Sequence, residues 1–382
     1  MTTRPWDVIV AGLGAAGASA LHALAARGAR ALGLDRFAPP HALGSSHGAS
    51  RIIREAYFED PCYVPLVQAA YRGWRSLEAA TGERLLTETG GLMIGAPDSA
   101  LVRGALASAR AHGLPHDLLD APALRELVPA FTFPTDHVAV FEPRAGVLAP
   151  ERAIGATLAR ARALGATLAT DQPLLAWQAD AHGVTVTTPA GRHVAERLVL
   201  ATGAWMGEVL ADLALPLVVE RNVLAWFDPP PGTPTDAFAP DRFPVFLHEV
   251  TPALTWYGFP DFGDGIKVAQ HGGGEATTAD AVRRTVDAAD LAPLRGLLAA
   301  HLPAANGQVR AAVACPYTRT PDGHFVLDRH PAHPAVIVAS PCSGHGFKFA
   351  PAIGAVLADL ATGAPPAFDL TPFSLRRFPR QV

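Results

Sequence analysis

Apolar positions near the N-terminus fall into two short runs with a helical stretch between them. Asp7-Val-Ile-Val-Ala is apolar, β-branched and short, and so reads as a buried strand. The chain from Ala18 to Arg27 is rich in Ala and Leu and reads as a helix, with Gly28 as its stop. Ala31-Leu-Gly-Leu-Asp35 reads as a second strand that ends in an acid. The pattern therefore predicts a strand–helix–strand opening. The uncharged run from Val8 to Ala26 has the length of a membrane span or signal core, but it contains three glycines. A strand that begins so near the first residue leaves no room for a removable leader.

Farther on, Leu66, Ala69, Ala70, Trp74 and Leu77 recur at helical spacing and predict an amphipathic helix from Tyr63 to Ala80. Helices are also expected over 99–113, 151–165, 279–301 and 351–362. Strands are expected at 89–95, 166–170 and 335–339, and at 198–205, where a glycine turn follows. Residues 217–228 and 243–271 alternate in character and predict antiparallel β-structure. Strict βαβαβ alternation does not continue past residue 40. The order of elements implies a nucleotide-binding domain interrupted by insertions that build a second, β-rich domain, with no internal repeat.

Composition narrows the function classes. Of 382 residues, 49% are apolar and only 17% charged, so the chain can bury large cores, and its length suggests two or three domains. Gly and Pro, at 35 each, fall short of a disordered composition. A net charge of −4 with no basic block disfavours nucleic-acid binding. Three cysteines, none in a Cys-x-x-Cys pair, make neither a disulfide framework nor a zinc ribbon, and suit a reducing cytoplasm. The histidines include no His-Glu-x-x-His, and His330 and His333 lie among prolines that exclude a helical ligand face. No metal is expected.

Gly12-Leu-Gly14-Ala-Ala-Gly17 joins the opening strand to its helix. The first glycine permits the tight turn, the second lets a pyrophosphate approach the backbone, and the third lets helix and strand pack closely. The helix N-terminus offers free N–H groups and the positive end of its dipole. Asp35 is spaced to accept hydrogen bonds from a ribose diol. The motif does not separate FAD from NAD, although the acid argues against NADP.

Four further clusters carry chemistry. Ser45-Ser-His47-Gly-Ala-Ser-Arg51-Ile-Ile-Arg54 is locally cationic and suits either bidentate carboxylate recognition or a surface basic segment. Lys267 lies in an apolar-flanked strand, with His271 on the same face four residues on. An outward-facing lysine is the more common explanation, and an inward one needs a partner or a function. Cys315, next to Pro316, is either an inert buried thiol or an attachment point. In Cys342-Ser-Gly344-His-Gly346-Phe347-Lys348 the glycines suggest backbone close to a ligand, and the lysine supplies another cation.

Together these segments resemble the monomeric sarcosine oxidase family of FAD-dependent amine oxidases, whose relatives include N-methyltryptophan and pipecolate oxidases. The most specific pieces are Gly44 to Arg54, Cys315-Pro-Tyr-Thr and Ser343-Gly-His-Gly-Phe-Lys348, and the likeness covers nearly the whole chain. It implies an α/β plus α+β fold, a GR2-type FAD-binding Rossmann-like domain with an inserted substrate domain on an antiparallel sheet. Residues 1–85, 147–215 and 318–382 would form the FAD domain, and 86–146 and 216–317 the substrate domain.

The resemblance further implies FAD held covalently through a thioether from Cys315 to the flavin 8α carbon. Gly12, Gly14, Gly17, Asp35, Arg36, Ser45, Gly203, Trp205, Gly344, Gly346, Phe347 and Lys348 would contact the cofactor. His47 and Arg51 would lie close to its ring. Arg54 and Lys348 would hold the substrate carboxylate, and Leu247, Tyr257, His271, Tyr317 and Gly344 would line the pocket. Lys267 would sit near flavin N5 and activate dioxygen. Lys267, Arg51, His47, His271 and Tyr317 form the implied catalytic set. Three departures stand out: Leu247 where the family often has Met, a loop from Tyr257 to Lys267 one residue shorter, and Cys342 where an apolar residue is expected.

The implied activity is oxidation of an N-methyl amino acid such as sarcosine, with O₂ and water, to primary amino acid, formaldehyde and H₂O₂. Oxidation of a cyclic imino acid such as proline or pipecolate is the alternative, toward which Ser46 leans. A flavin-binding protein without turnover is the rival from another class, and an NAD-dependent dehydrogenase would leave Cys315 and Lys267 without a role. The expected partners are an amino acid and O₂, without nucleic acid or membrane, in a cytoplasmic monomer.

Overall fold

The computed structural model describes residues 5–378. The opening strand Trp6–Ala11, helix Ala15–Ala26 and strand Ala31–Leu34 form as the apolar pattern predicts. The two strands belong to an eight-stranded sheet. Trp6–Ala11 pairs in parallel with Ala31–Leu34 on one side and with Gly191–Leu200 on the other. On its other edge the long strand Gly191–Leu200 has two more partners. Its first half closes an antiparallel hairpin with Gly183–Thr188, and its last residues pair in parallel with Val336–Ser340. The expected strand 198–205 is thus the tail of this longer one, followed by a short 3₁₀ turn at Gly203–Trp205.

A nine-stranded, mostly antiparallel sheet draws on residues 91–142, 218–277 and 309–319. Its long strand Val218–Phe227 pairs with Val309–Arg319 and with Ile266–Gln270. Both faces of this sheet are covered over much of its area, and the short strand Ile266–Gln270 is apolar on both sides of Lys267. On one face Leu224, Trp226, Leu247, Tyr257, Ala269, Cys315 and Tyr317 join the main core. On the other, Ala225, Phe227, Phe246, Trp256, Ile266 and Val268 build a second core with Leu294, Leu297 and Leu298. The period of two divides each strand between these cores. Lys267, flanked by Ile266 and Val268, is thereby turned to the first face.

One predicted element is shorter than its pattern. The helix expected over 279–301 begins only at Ala288. Asp287 and Asp290 form a capping box there, each side chain accepting the other's backbone N–H. Arg221, almost fully buried, grips both oxygens of Asp290 at 2.9 Å, and Arg283 adds two more bonds. These bonds fix the start of the helix, and residues 282–287 run into it without regular structure. Among the described residues, no helix is long and apolar enough to cross a membrane.

Candidate functional site

A cavity of about 570 Å³ runs from the Gly12–Gly14 turn to the inner face of the nine-stranded sheet. Its nucleotide end is built from the sequence motif. Gly12 has φ +89°, and a Cβ there would lie 2.4 Å from the Ala201 carbonyl oxygen. Gly17 does not line the cavity. It lets the helix press onto the turn, since a Cβ would fall 1.7 Å from the Gly12 carbonyl. The Asp35 carboxylate accepts the N–H of Leu13 at 2.6 Å and that of Phe37 at 2.8 Å, stapling the turn to the second strand. Arg36 pairs with Asp280 beside Trp205, whose Nε1 also donates to Asp280 at 2.8 Å. Gly14, Arg36, Gly203 and Trp205 all line the cavity.

The polar loop 43–51 closes over the middle of this space. Ser45 Oγ donates to the Pro316 carbonyl at 2.6 Å, tying the loop to strand Val309–Arg319. Arg51 donates to the carbonyls of Ser50 and Ser45, both at 2.8 Å, and lies 3.7 Å from Cys315 Sγ. Cys315 is fully buried and sits one layer behind the wall, touching Ser45 and Arg51, which do line the cavity. Burial pushes its thiol up, while Arg51, Lys267 and Arg284 act the other way.

Lys267 is 1% exposed, so the inward orientation holds. Its Nζ donates to the Gly48 carbonyl at 2.6 Å, the Ser50 carbonyl at 2.8 Å and Ser50 Oγ at 3.1 Å. Desolvation and the nearby Arg51 hold this amine well below the usual lysine range. The loop it grips is itself held. Gly48 and Ala49 both have positive φ, and their N–H groups donate to Glu151 Oε1 at 2.6 and 3.2 Å. Neither Lys267 nor His47 lines the large cavity, although Lys267 Nζ lies over the ring of Phe259, which does. His47 lines a smaller cavity together with Gly48, Ala49 and Trp226, and burial lowers its pKa to about 4.

At the far end stand the groups suited to an amino acid. Arg54 is 2% exposed, and its Nη2 donates to both oxygens of Glu59, at 2.7 and 3.0 Å. Lys348 donates to the His345 carbonyl at 2.8 Å and to the Tyr57 hydroxyl at 3.3 Å. Burial and Arg54 lower Lys348 to about 7. Opposite them, the hydroxyls of Tyr257 and Tyr317 meet at 2.9 Å. His271 lies beside this pair, and burial lowers it to about 4, so it is neutral near pH 7. Leu247 and Gly344 complete the wall. A Cβ on Gly344, which has φ +81°, would lie 2.6 Å from the Tyr317 ring. Gly346 lies against Pro341, and Phe347 stacks on Trp74.

Sequence reasoning did not single out Glu59, Tyr57 or His345. His345 Nε2 faces the Gly323 carbonyl at 3.0 Å, which makes it the donor and leaves Nδ1 to accept from Tyr57 at 2.6 Å. The Tyr57 oxygen is then free to accept from Lys348. The acid five residues after Arg54 was the available signal for Glu59. Nothing local marks the other two. His330 is bound to Asp212 at 2.9 Å, and no cluster of metal-ligating side chains occurs among the described residues.

These residues fit FAD. The Gly12–Gly14 turn lines the cavity with backbone alone, and the buried Thr318 hydroxyl, on the cavity wall, has no partner within the chain. The model of the family described as "DAO: FAD dependent oxidoreductase" matches residues 7–360. The monomeric sarcosine oxidase of Streptomyces avermitilis is 42% identical, with 97% of each chain covered. An N-methyl-L-tryptophan oxidase of Salmonella heidelberg is 36% identical over 98% of this chain and 99% of its own. An amino acid oxidase essential for nikkomycin biosynthesis, solved in an open form, superposes with a TM-score of 0.83. It is 26% identical and covers 97% of this chain and 98% of its own. The chain belongs to the family of FAD-dependent oxidoreductases in which monomeric sarcosine oxidase and N-methyl-L-tryptophan oxidase stand.

Proposed function

We propose that the protein is an FAD-dependent oxidase of secondary amino acids that converts an N-methyl amino acid such as sarcosine, with O₂ and water, to the primary amino acid, formaldehyde and H₂O₂. The observation that carries this reading is the meeting of two buried cations, Arg54 and Lys348, in the cavity that begins at the dinucleotide turn. The names of the related oxidases support it. FAD, held at the Gly12–Gly14 turn, would supply the two-electron redox chemistry between the carbon beside the substrate nitrogen and O₂.

The protein's own groups do the rest. Arg54 Nη2 already receives a carboxylate, that of Glu59, on both of its oxygens, while Nη1 is held by the Ala56 carbonyl. A substrate carboxylate would share or take that guanidinium and gain Lys348 as second cation, which orients the amine before reaction. The amine reacts in its neutral form. Arg51, Arg54 and Lys348 all disfavour an ammonium in the pocket, and neutral His271 adds no charge. Tyr257 and Tyr317 offer hydroxyls at the same wall. Lys267, anchored beneath the Gly48–Ser50 loop, supplies a positive charge that stabilises negative charge developing on reduced dioxygen. Cys315, flanked by three cations, is the thiol we assign to the thioether with the 8α carbon.

We keep the division into an FAD domain of 1–85, 147–215 and 318–382 and a substrate domain of 86–146 and 216–317. The two large sheets support it. Three free cysteines, one exposed, favour a reducing cytoplasm, and the names of the relatives favour a monomer. The test is a panel of sarcosine, other N-methyl amino acids, glycine, proline and pipecolate, assayed for peroxide. The highest kcat/KM is expected with an N-methyl amino acid. A preference for proline or pipecolate moves the substrate class to cyclic imino acids, and no peroxide from any secondary amino acid refutes the oxidase.

A further inference from the structure

The guanidinium of Arg54 is presented by residues 54–59, which form neither helix nor strand. A stretch without a ladder is held by whatever accepts its N–H groups. Here that acceptor is a side chain from another part of the fold. Glu142, at the end of strand Val138–Glu142, accepts the N–H of Glu55 at 2.6 Å and that of Ala56 at 2.8 Å, one on each oxygen. The carbonyl of Ala56 in turn receives Arg54 Nη1 at 3.1 Å. The carboxylate therefore fixes the peptide that orients the guanidinium. Glu142 is 1% exposed and does not line the cavity.

We propose that Glu142 is a positioning residue of the substrate site: by holding both peptide N–H groups, its carboxylate sets the angle at which Arg54 meets a substrate carboxylate. The inference rests on the reading of Arg54 as the carboxylate anchor. The geometry requires the ionised form. A protonated carboxyl would direct an O–H toward one of two N–H donors, and only one bond would survive. The charged groups around Glu142 are few. Glu55 is buried beside it and paired with Arg144 at 3.3 Å, Arg54 is the cation that acts on it, and the buried phenol of Tyr71 interacts with it. Burial, which the two N–H bonds only partly offset, pushes Glu142 up to about 7.

The sign of the effect follows. As pH falls through about 7, Glu142 takes up a proton, the peptide loosens and carboxylate binding weakens. Lys348 produces the opposite limb, losing its charge as pH rises through about 7. Replacing Glu142 removes the acid limb alone.

The experiment titrates the holoenzyme with acetate, follows the visible flavin spectrum, and repeats this from about pH 5.5 to 8.5 so that both limbs are covered. Wild type is expected to bind best near the middle of the range. Glu142→Gln is expected to bind about tenfold more weakly, a loss of about 1.4 kcal/mol, and to lack the acid limb. Glu142→Asp should recover that limb with intermediate affinity. A glutamine variant that binds as wild type does, with the acid limb intact, overturns the proposal while leaving Arg54 as the anchor. Absence of acetate binding by wild type at every pH overturns both. If the glutamine variant does not fold, hydrogen exchange in wild type decides. After correction for intrinsic rates, the Glu55 and Ala56 amides must lose protection over the same pH range in which acetate affinity falls, and unchanged protection overturns the proposal.

Discussion

Replacing Lys267 with Met separates the two halves of the catalytic cycle. The substitution nearly conserves volume but deletes three hydrogen bonds, of 2.6, 2.8 and 3.1 Å. The carbonyls of Gly48 and Ser50 lose their lysine donor, and a buried orphan costs about 1–3 kcal/mol. Against this, the variant no longer desolvates an ammonium, a penalty of several kcal/mol per ion. The opposing terms are similar in size, so the protein should fold, with Tm changed by only a few degrees. Function should change far more. With its three N–H bonds spent on Gly48 and Ser50, Lys267 acts through its charge, for which the worth of one preorganised donor, about 2.7–4 kcal/mol or roughly 10²–10³ in rate, is the ceiling. Stopped-flow reoxidation of the reduced variant by O₂ should slow by up to that factor, while anaerobic reduction by substrate slows less than about tenfold. In wild type, reoxidation should also slow with rising pH. Because the amine is held below the usual lysine range, its charge is lost earlier than in a free lysine. That dependence should vanish in the variant. Equal losses in both half-reactions would refute the role given to Lys267.

Three other outcomes are expected. Cys315→Ser should release all its flavin into the supernatant on acid precipitation, whereas wild type keeps it in the pellet; flavin free in both discards the covalent link. Arg54→Lys cannot hold the Ala56 carbonyl and present a planar N–H edge to a carboxylate at once, so KM for a carboxylate substrate should rise by about 10–100-fold, the equivalent of one charge-assisted bond, while a substrate lacking the carboxylate shows little change. Gly344→Ala places a methyl 2.6 Å from Tyr317 and 3.3 Å from His271 at positive φ. It should lower kcat/KM at least about tenfold through the displaced ring, at a stability loss of about 1–3 kcal/mol, and unchanged kinetics would refute the close approach.

The strand–helix–strand opening was legible because its signals are local. The turn glycines, the Ala/Leu helix and the closing acid lie within 35 residues, and each acts on its neighbours. The inward orientation of Lys267 was not legible. Its strand has a core on each face, so the apolar pattern carries no sign of which side is which. The start of the helix at Ala288 is marked by Asp287-Ala-Ala-Asp290, a capping pair whose local signal competes with an apolar pattern that extends farther upstream. Arg54 and Lys348 could be chosen from sequence by likeness. Their supports could not, since Glu142 reaches across 86 or more residues of chain to the segment it holds.

The two-faced sheet makes selectivity adjustable without rebuilding the scaffold. Leu247 faces the pocket, while its neighbours Phe246 and His248 pack into the opposite layer, where His248 is bonded to Trp256 and His137. Exchanging the side chain at 247 can reshape the space offered to an N-substituent, and the layer behind it keeps its packing. A lineage could thus drift from small to bulky amino acids through alternate residues of single strands, each step leaving foldability nearly intact.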